Sequence, residues 1–92
     1  MERKSVLQAQ AVAIVVLDRG FVYVGRVTVD GDWCVIESAK NIRVWGTTKG
    51  LGELVGGPTK ATKLDTVGTV RAPMRAVISI IDANDEKWKS AL

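Results

Sequence analysis

The stretch Trp45-Gly46-Thr47-Thr48-Lys49-Gly50-Leu51-Gly52 holds the densest chemistry in this 92-residue chain. Glycines let backbone N–H groups approach an anion, threonine hydroxyls add donors, and Lys49 adds positive charge. Trp45, next to them, offers a face on which a nucleobase can stack. Such a set suits a phosphate-bearing ligand. Its order is not that of a P-loop, where Lys-Ser/Thr follows the last glycine. The same residues also suit a structural loop, with glycines for turns, Trp45 for the core and Lys49 for solubility. On sequence both readings stand.

The rest of the inventory points away from an enzyme. There is no histidine, the commonest general base and metal ligand. Cys34, the single cysteine, sits in an apolar run without a neighbouring base, which suits a core thiol better than a nucleophile. One cysteine cannot staple the domain, as expected of a cytosolic protein. Asp82, Asp85 and Glu86 lack calcium-loop spacing and are better explained by a helix start. None of the four serines stands in a nucleophile-elbow context. Neither a cofactor nor a metal is expected.

Charge gives the loop its context. Between Lys40 and Arg75 seven bases face two acids, an excess of five positive charges, whereas the remainder carries six bases and eight acids. Arg43, Arg71 and Arg75 belong to this basic middle, and with Lys49 they form the expected phosphate-facing set. A solvated basic surface would carry the same residues.

The elements that must position these groups are β-strands. VAIVVLDRGFVYVGRVTV, from Val12 to Val29, reads as a hairpin around Asp18-Arg19-Gly20. Val12–Leu17 is almost wholly apolar and is expected to be buried on both faces, or on one face plus a subunit contact. Phe21, Tyr23, Val27 and Val29 are expected on one face of the second strand, with Arg26 and Thr28 on the other. Gly25 interrupts that strand and marks a bend or bulge. Asp30-Gly31-Asp32 is a second tight turn. Trp33–Ala39 follows as a strand, with Cys34, Ile36 and Ser38 opposite Trp33, Val35 and Glu37. Asn41–Trp45 either continues it past a bulge near Lys40-Asn41 or stands apart.

Gly46–Thr66 reads as a long loop with one helical turn at Leu51–Val55. Thr66–Ala72 and Arg75–Ile81 are the last strand pair, and AVISIID is apolar enough for a central strand. Residues 83–92 read as a closing helix, capped by Asp82 or Asn84, with Trp88 and Leu92 as its apolar stripe. Residues 1–10 form a polar lead-in or a short helix. Arg3-Lys4 before Ala11–Leu17 faintly imitates a signal peptide, but the run is short and passes straight into hairpin chemistry. No apolar run reaches the roughly 18–20 residues of a membrane span. Apolar residues make up 47% of so small a chain, an excess that points to surface buried against a partner, commonly another copy.

This layout resembles the Sm-like proteins, small bent five-stranded barrels that form rings and often bind RNA. VAIVVLDRGFVYVGRVTV looks like their first hairpin, and TVRAPMRAVISIID like their last strand pair, with Arg71 at the family's arginine. Two features depart from the family. The Asp-x-x-Met-Asn-Leu segment of its RNA pocket is missing, with Asp30-Gly31-Asp32-Trp33 in its place. The glycine of its Arg-Gly turn is replaced by Ala72-Pro73. The resemblance therefore implies architecture more than RNA binding. The string RVWGTTKGLGEL, with VGTVRAPMRAVISIID, is also similar to a group of small, functionally unassigned phage and prophage proteins. That likeness implies a viral origin, with a place in the host cytoplasm or the virion.

The sequence thus predicts a single, mainly β domain over 1–92. It is a strongly bent five-stranded barrel of SH3- or Sm-like type, with a long glycine-rich loop and a short C-terminal helix. The expected function is that of a non-enzymatic, self-associating phage accessory protein, a class that includes proteins countering host defence. It would hold a nucleotide or single-stranded nucleic acid at Arg43, Trp45, Thr47, Thr48, Lys49, Gly50, Gly52, Arg71 and Arg75. The alternative is a virion component, or an inhibitor of a host protein, acting through protein interfaces.

Overall fold

In the computed structural model, residues 11–92 are described. The lead-in expected over 1–10 lies outside them. β1 (Ala11–Leu17) and β2 (Val22–Asp30) form the predicted hairpin, in register from Ala11 opposite Val27 to Val16 opposite Val22. The turn between them uses left-handed backbone at Arg19 (φ 64°) and Gly20 (φ 83°), and the Leu17 N–H donates to the Phe21 carbonyl at 2.8 Å. β3 (Trp33–Val44) and β4 (Lys63–Pro73) extend the meander. β5 (Val77–Asp82) returns to pair with β1. The result is one antiparallel sheet in the order β4-β3-β2-β1-β5.

The expected small β domain of five strands with a short C-terminal helix is what the chain forms. Its barrel is not closed, because β4 and β5 are the two edges and do not pair with each other. That corrects the reading of AVISIID as a central strand. Among the described residues β5 has one strand neighbour, and Ile78 is 67% exposed.

β1 is the strand around which the core is built. Its alternating side chains enter two separate apolar clusters. Ala13 and Val15 pack with Val27, Cys34, Ile36 and Ala39. Val12 and Ile14 pack with Val22, Val24, Ile42, Leu54 and Trp88. Val12 to Val15 are therefore all buried within the chain itself. The apolar character of β1 gives no ground for a subunit contact, because intramolecular packing already covers both faces.

One line of irregularities lets a single sheet supply both clusters. In β2 the register shifts between Val24 and Arg26, at Gly25. A Cβ on Gly25 would come within 2.7 Å of Ile36 Cγ2 and 2.8 Å of the Glu37 carbonyl, so no side chain fits there. Opposite it, Ser38 adopts φ 54°, and β4 shifts register where Gly68 pairs with Ala39. In β3 and β4 the irregularity reverses the inside-outside alternation, whereas β2 keeps its own, with Tyr23 and Val27 on the first cluster on either side of Gly25. In β3, Cys34 and Ile36 face the first cluster, but Ile42, at the same parity, faces the second. The bulge expected at Lys40-Asn41 thus falls two positions earlier, and Ser38 is exposed rather than aligned with Cys34 and Ile36. Phe21 and Val29 are also more exposed than expected, at 54% and 41%, because they lie at opposite ends of β2, past the clusters.

The loop before β4 is shorter than its composition suggests. Lys63 to Thr66 already pair with Val44 to Lys40, so the strand starts three residues before the expected Thr66. Leu51–Gly56 forms a 3-10 turn within the loop. The chain then ends in a short helix, α1 (Asp85–Trp88), which tightens to a 3-10 turn over Lys89–Ala91. The Asn84 side chain caps it by accepting from the Lys87 N–H at 3.1 Å. Trp88 is fully buried, and its indole N–H donates to the Leu54 carbonyl at 2.8 Å. Trp88 thereby fastens the terminal helix and the loop turn to the same face of β1.

Candidate ligand-binding site

The nine expected ligand residues separate into two groups at opposite ends of the β3–β4 ribbon. Arg43, Trp45, Thr47, Thr48, Lys49, Gly50 and Gly52 lie at the end where Val44 pairs with Lys63. Arg71 pairs with Val35, and Arg75 lies in the 3-10 turn Met74–Ala76 between β4 and β5. Arg71 lies eight residue steps along β4 from Lys63, about 26 Å at ~3.3 Å per residue. The expectation of one shared pocket is therefore corrected. The sequence distance between Lys49 and Arg71 is spanned by a strand, which carries them apart.

At the loop end, the donors expected to cradle an anion are engaged within the chain. The backbone N–H groups of Thr48 and Lys49 both donate to Glu53 Oε1, at 3.1 and 3.0 Å. The Thr48 hydroxyl reaches the same oxygen at 3.5 Å. Arg43 Nε donates to Asp65 Oδ2 at 2.9 Å, forming an ion pair. The base of the loop is stitched by Thr59 Oγ1 to the Gly46 carbonyl and Thr62 Oγ1 to the Trp45 carbonyl, both at 2.7 Å. Gly46 (φ 67°) is required there, since a Cβ would run into the Ala61–Thr62 peptide. Gly50 and Gly52 have open space around them. The glycines and threonines of this stretch form a self-satisfied loop whose nest already holds a carboxylate.

The other end is different in kind. Asp32, Trp33, Pro73, Met74 and Arg75 line a cleft of about 410 Å³. The Met74 N–H donates to the Asp32 carbonyl at 2.8 Å, which ties the β2–β3 turn to the β4–β5 connection and sets the two walls. Trp33 leaves 48% of its surface open, an unusual exposure for so large an apolar side chain. The side chains of Asp32, Arg71 and Arg75 make no hydrogen bond or ion pair among the described residues. A second hollow of about 300 Å³ lies across β2, β3 and β4, lined by Thr28, Val29, Asp30, Val35, Glu37 and Arg71.

Sequence reading missed Trp33 and Asp32 as site residues because the Asp-Gly turn accounted for them structurally. The usable signal was alternation. Cys34 and Ile36 face the core, so Trp33 had to face outwards at the strand's first residue. Cys34 itself is fully buried, and burial pushes its thiol pKa up, away from the thiolate form that a nucleophile needs. No group of three His, Cys, Asp or Glu among the described residues is placed to hold a metal. No helix among them is long and apolar enough to cross a membrane.

Neither a protein-family model nor a curated protein matches the chain. Among solved structures, a chain from the crystal structure of the NatC complex bound to CoA is similar, with a TM-score of 0.52 and 15% identity. The match covers 97% of this chain and 100% of that one. At such identity the likeness concerns the fold: a small five-stranded β domain that, in that structure, is part of a protein complex.

Proposed function

We propose that this chain is a non-enzymatic binding protein that captures a phosphorylated ligand bearing an aromatic ring, a nucleotide or a single-stranded nucleic acid. The cleft between Asp32-Trp33 and Pro73-Met74-Arg75 is the site. The observation that carries the reading is a half-open indole sharing a cleft with Arg75, which has no acidic partner among the described residues. An exposed tryptophan stacks a base, and a free guanidinium binds phosphate in charge-assisted pairs. The volume falls within the range of small-molecule sites. The basic loop end, with Lys49 and Lys60, then serves as a diffuse electrostatic surface that adds weak, salt-sensitive attraction. Calorimetric titration of nucleoside monophosphates and short single strands at physiological salt tests this. Binding should be lost in Arg75→Ala and kept in Lys49→Ala; no binding by the wild type would end the reading.

A second reading, action through protein interfaces, is favoured by the two open edges. Among the described residues, β4 and β5 leave backbone donors and acceptors unpaired by other strands, with Val67 and Ile78 exposed along them at 48% and 67%. The similar chain in the NatC structure belongs to a complex as well. Self-association through these edges is compatible with ligand capture, since the cleft lies at the turns. A phage accessory role is what the RVWGTTKGLGEL string supports. Light scattering checks the self-association, with a mass above the 9.9 kDa of one chain expected.

A further inference from the structure

We infer that Asp32 makes the cleft selective for guanine. This rests on the ligand-capture reading above and adds the identity of the base. Four observations converge on it. Asp32 lines the same cleft as Trp33. It has no hydrogen-bond or ion-pair partner among the described residues. Its own carbonyl is pinned by the Met74 N–H at 2.8 Å, so its backbone is fixed relative to the opposite wall. Arg75, also without a partner among the described residues, stands on that wall to receive a phosphate.

A base stacked on Trp33 presents its hydrogen-bonding edge to this carboxylate, and an ionised carboxylate only accepts. The four common bases differ at that edge. Guanine offers N1–H and N2–H side by side, two donors matched to two carboxylate oxygens. Adenine pairs its N6 amino group with the N1 lone pair, and cytosine its N4 amino group with the N3 lone pair. Each would set an acceptor against the second oxygen. Uracil has one donor, N3–H, flanked by two carbonyls. Only guanine satisfies both oxygens without opposing lone pairs, and its purine ring also gives the larger stacking surface. An unmatched acceptor in a partly desolvated cleft loses affinity because its water is not replaced.

The experiment compares the 5′-monophosphates of guanosine, adenosine, cytidine and uridine by calorimetry at physiological salt. A parallel arm uses thymine octamers carrying one central guanine or one central adenine. Guanine should be preferred by roughly tenfold to a hundredfold, the range of one good bidentate base contact. Preference in the monophosphate arm identifies a free nucleotide; preference confined to the octamers identifies a single strand; either supports the inference. Asp32→Asn replaces one acceptor with a donor, so the guanine preference should collapse to within about threefold while thermal melting stays unchanged. Equal binding of all four bases by the wild type, or an unaltered preference in Asp32→Asn, overturns the selectivity and leaves ligand capture standing. Absence of any binding overturns the capture reading itself.

Discussion

The two ends of the β3–β4 ribbon carry similar residue types and use them in opposite ways. At the loop end, donors and charges are spent within the chain: Glu53 fills the amide nest and Asp65 takes Arg43. At the turn end, Asp32 and Arg75 share a cleft with an exposed indole and, among the described residues, are left unpaired. A polar group that already has its partner gains little from a ligand, because binding would have to break what exists. A group left open in a fixed wall can gain the full contact. Composition marks the first region, and unsatisfied geometry marks the second.

The comparison can be broken most directly through stability. Trp88→Ala empties a fully buried site and releases the loop turn, so it should cost about 3–5 kcal/mol. Trp88→Phe keeps most of the volume but removes one of the two hydrogen bonds to the Leu54 carbonyl, which still accepts from the Gly57 N–H at 3.0 Å, and should cost about 0.5–1.5 kcal/mol. Chemical denaturation of the two variants orders them, and a Trp88→Phe variant as stable as the wild type would show that the indole hydrogen bond contributes nothing. At the turn end the effects should move to affinity. Arg75→Ala should weaken nucleotide binding by about 1.5–3 kcal/mol, with the melting temperature unchanged. Trp33→Ala should act likewise, by about 1–3 kcal/mol. The smallest effects sharpen the contrast. Glu53→Gln at the exposed nest should destabilise by less than about 1 kcal/mol, and Lys49→Ala by less than about 0.5 kcal/mol, with affinity at physiological salt nearly constant. A large affinity loss in Lys49→Ala would return the site to the loop.

Much of the fold was legible in the sequence. The Asp-Arg-Gly and Asp-Gly-Asp turns gave the hairpins, Gly25 gave the irregularity in β2, and Asn84 with Trp88 gave the terminal helix and its anchor. These signals are local, and the physics behind them is local too. What failed was long-range. Whether β5 lies at the centre or the edge depends on which strand captures β1's free side, and AVISIID is apolar either way. The start of β4 at Lys63 depends on pairing with Val44, which loop composition does not encode. The site was half legible for the same reason. Arg71 and Arg75 were named, but Lys49 and Arg43 were grouped with them by charge, and a strand's length keeps the two sets apart. Glu53 could not be foreseen as the occupant of the nest, since nothing in its spacing aims it at Thr48 and Lys49.

Because β1 is covered on both faces, it has a history as well as a position. Val12 to Val15 leave the ribosome before β5 and Trp88, two of the parts of the chain that cover them. Until those arrive, one of the most apolar stretches of the protein waits with a hairpin partner on one side and solvent on the other. Its protection against sticking to other nascent chains rests on how soon synthesis reaches the last turn of the helix.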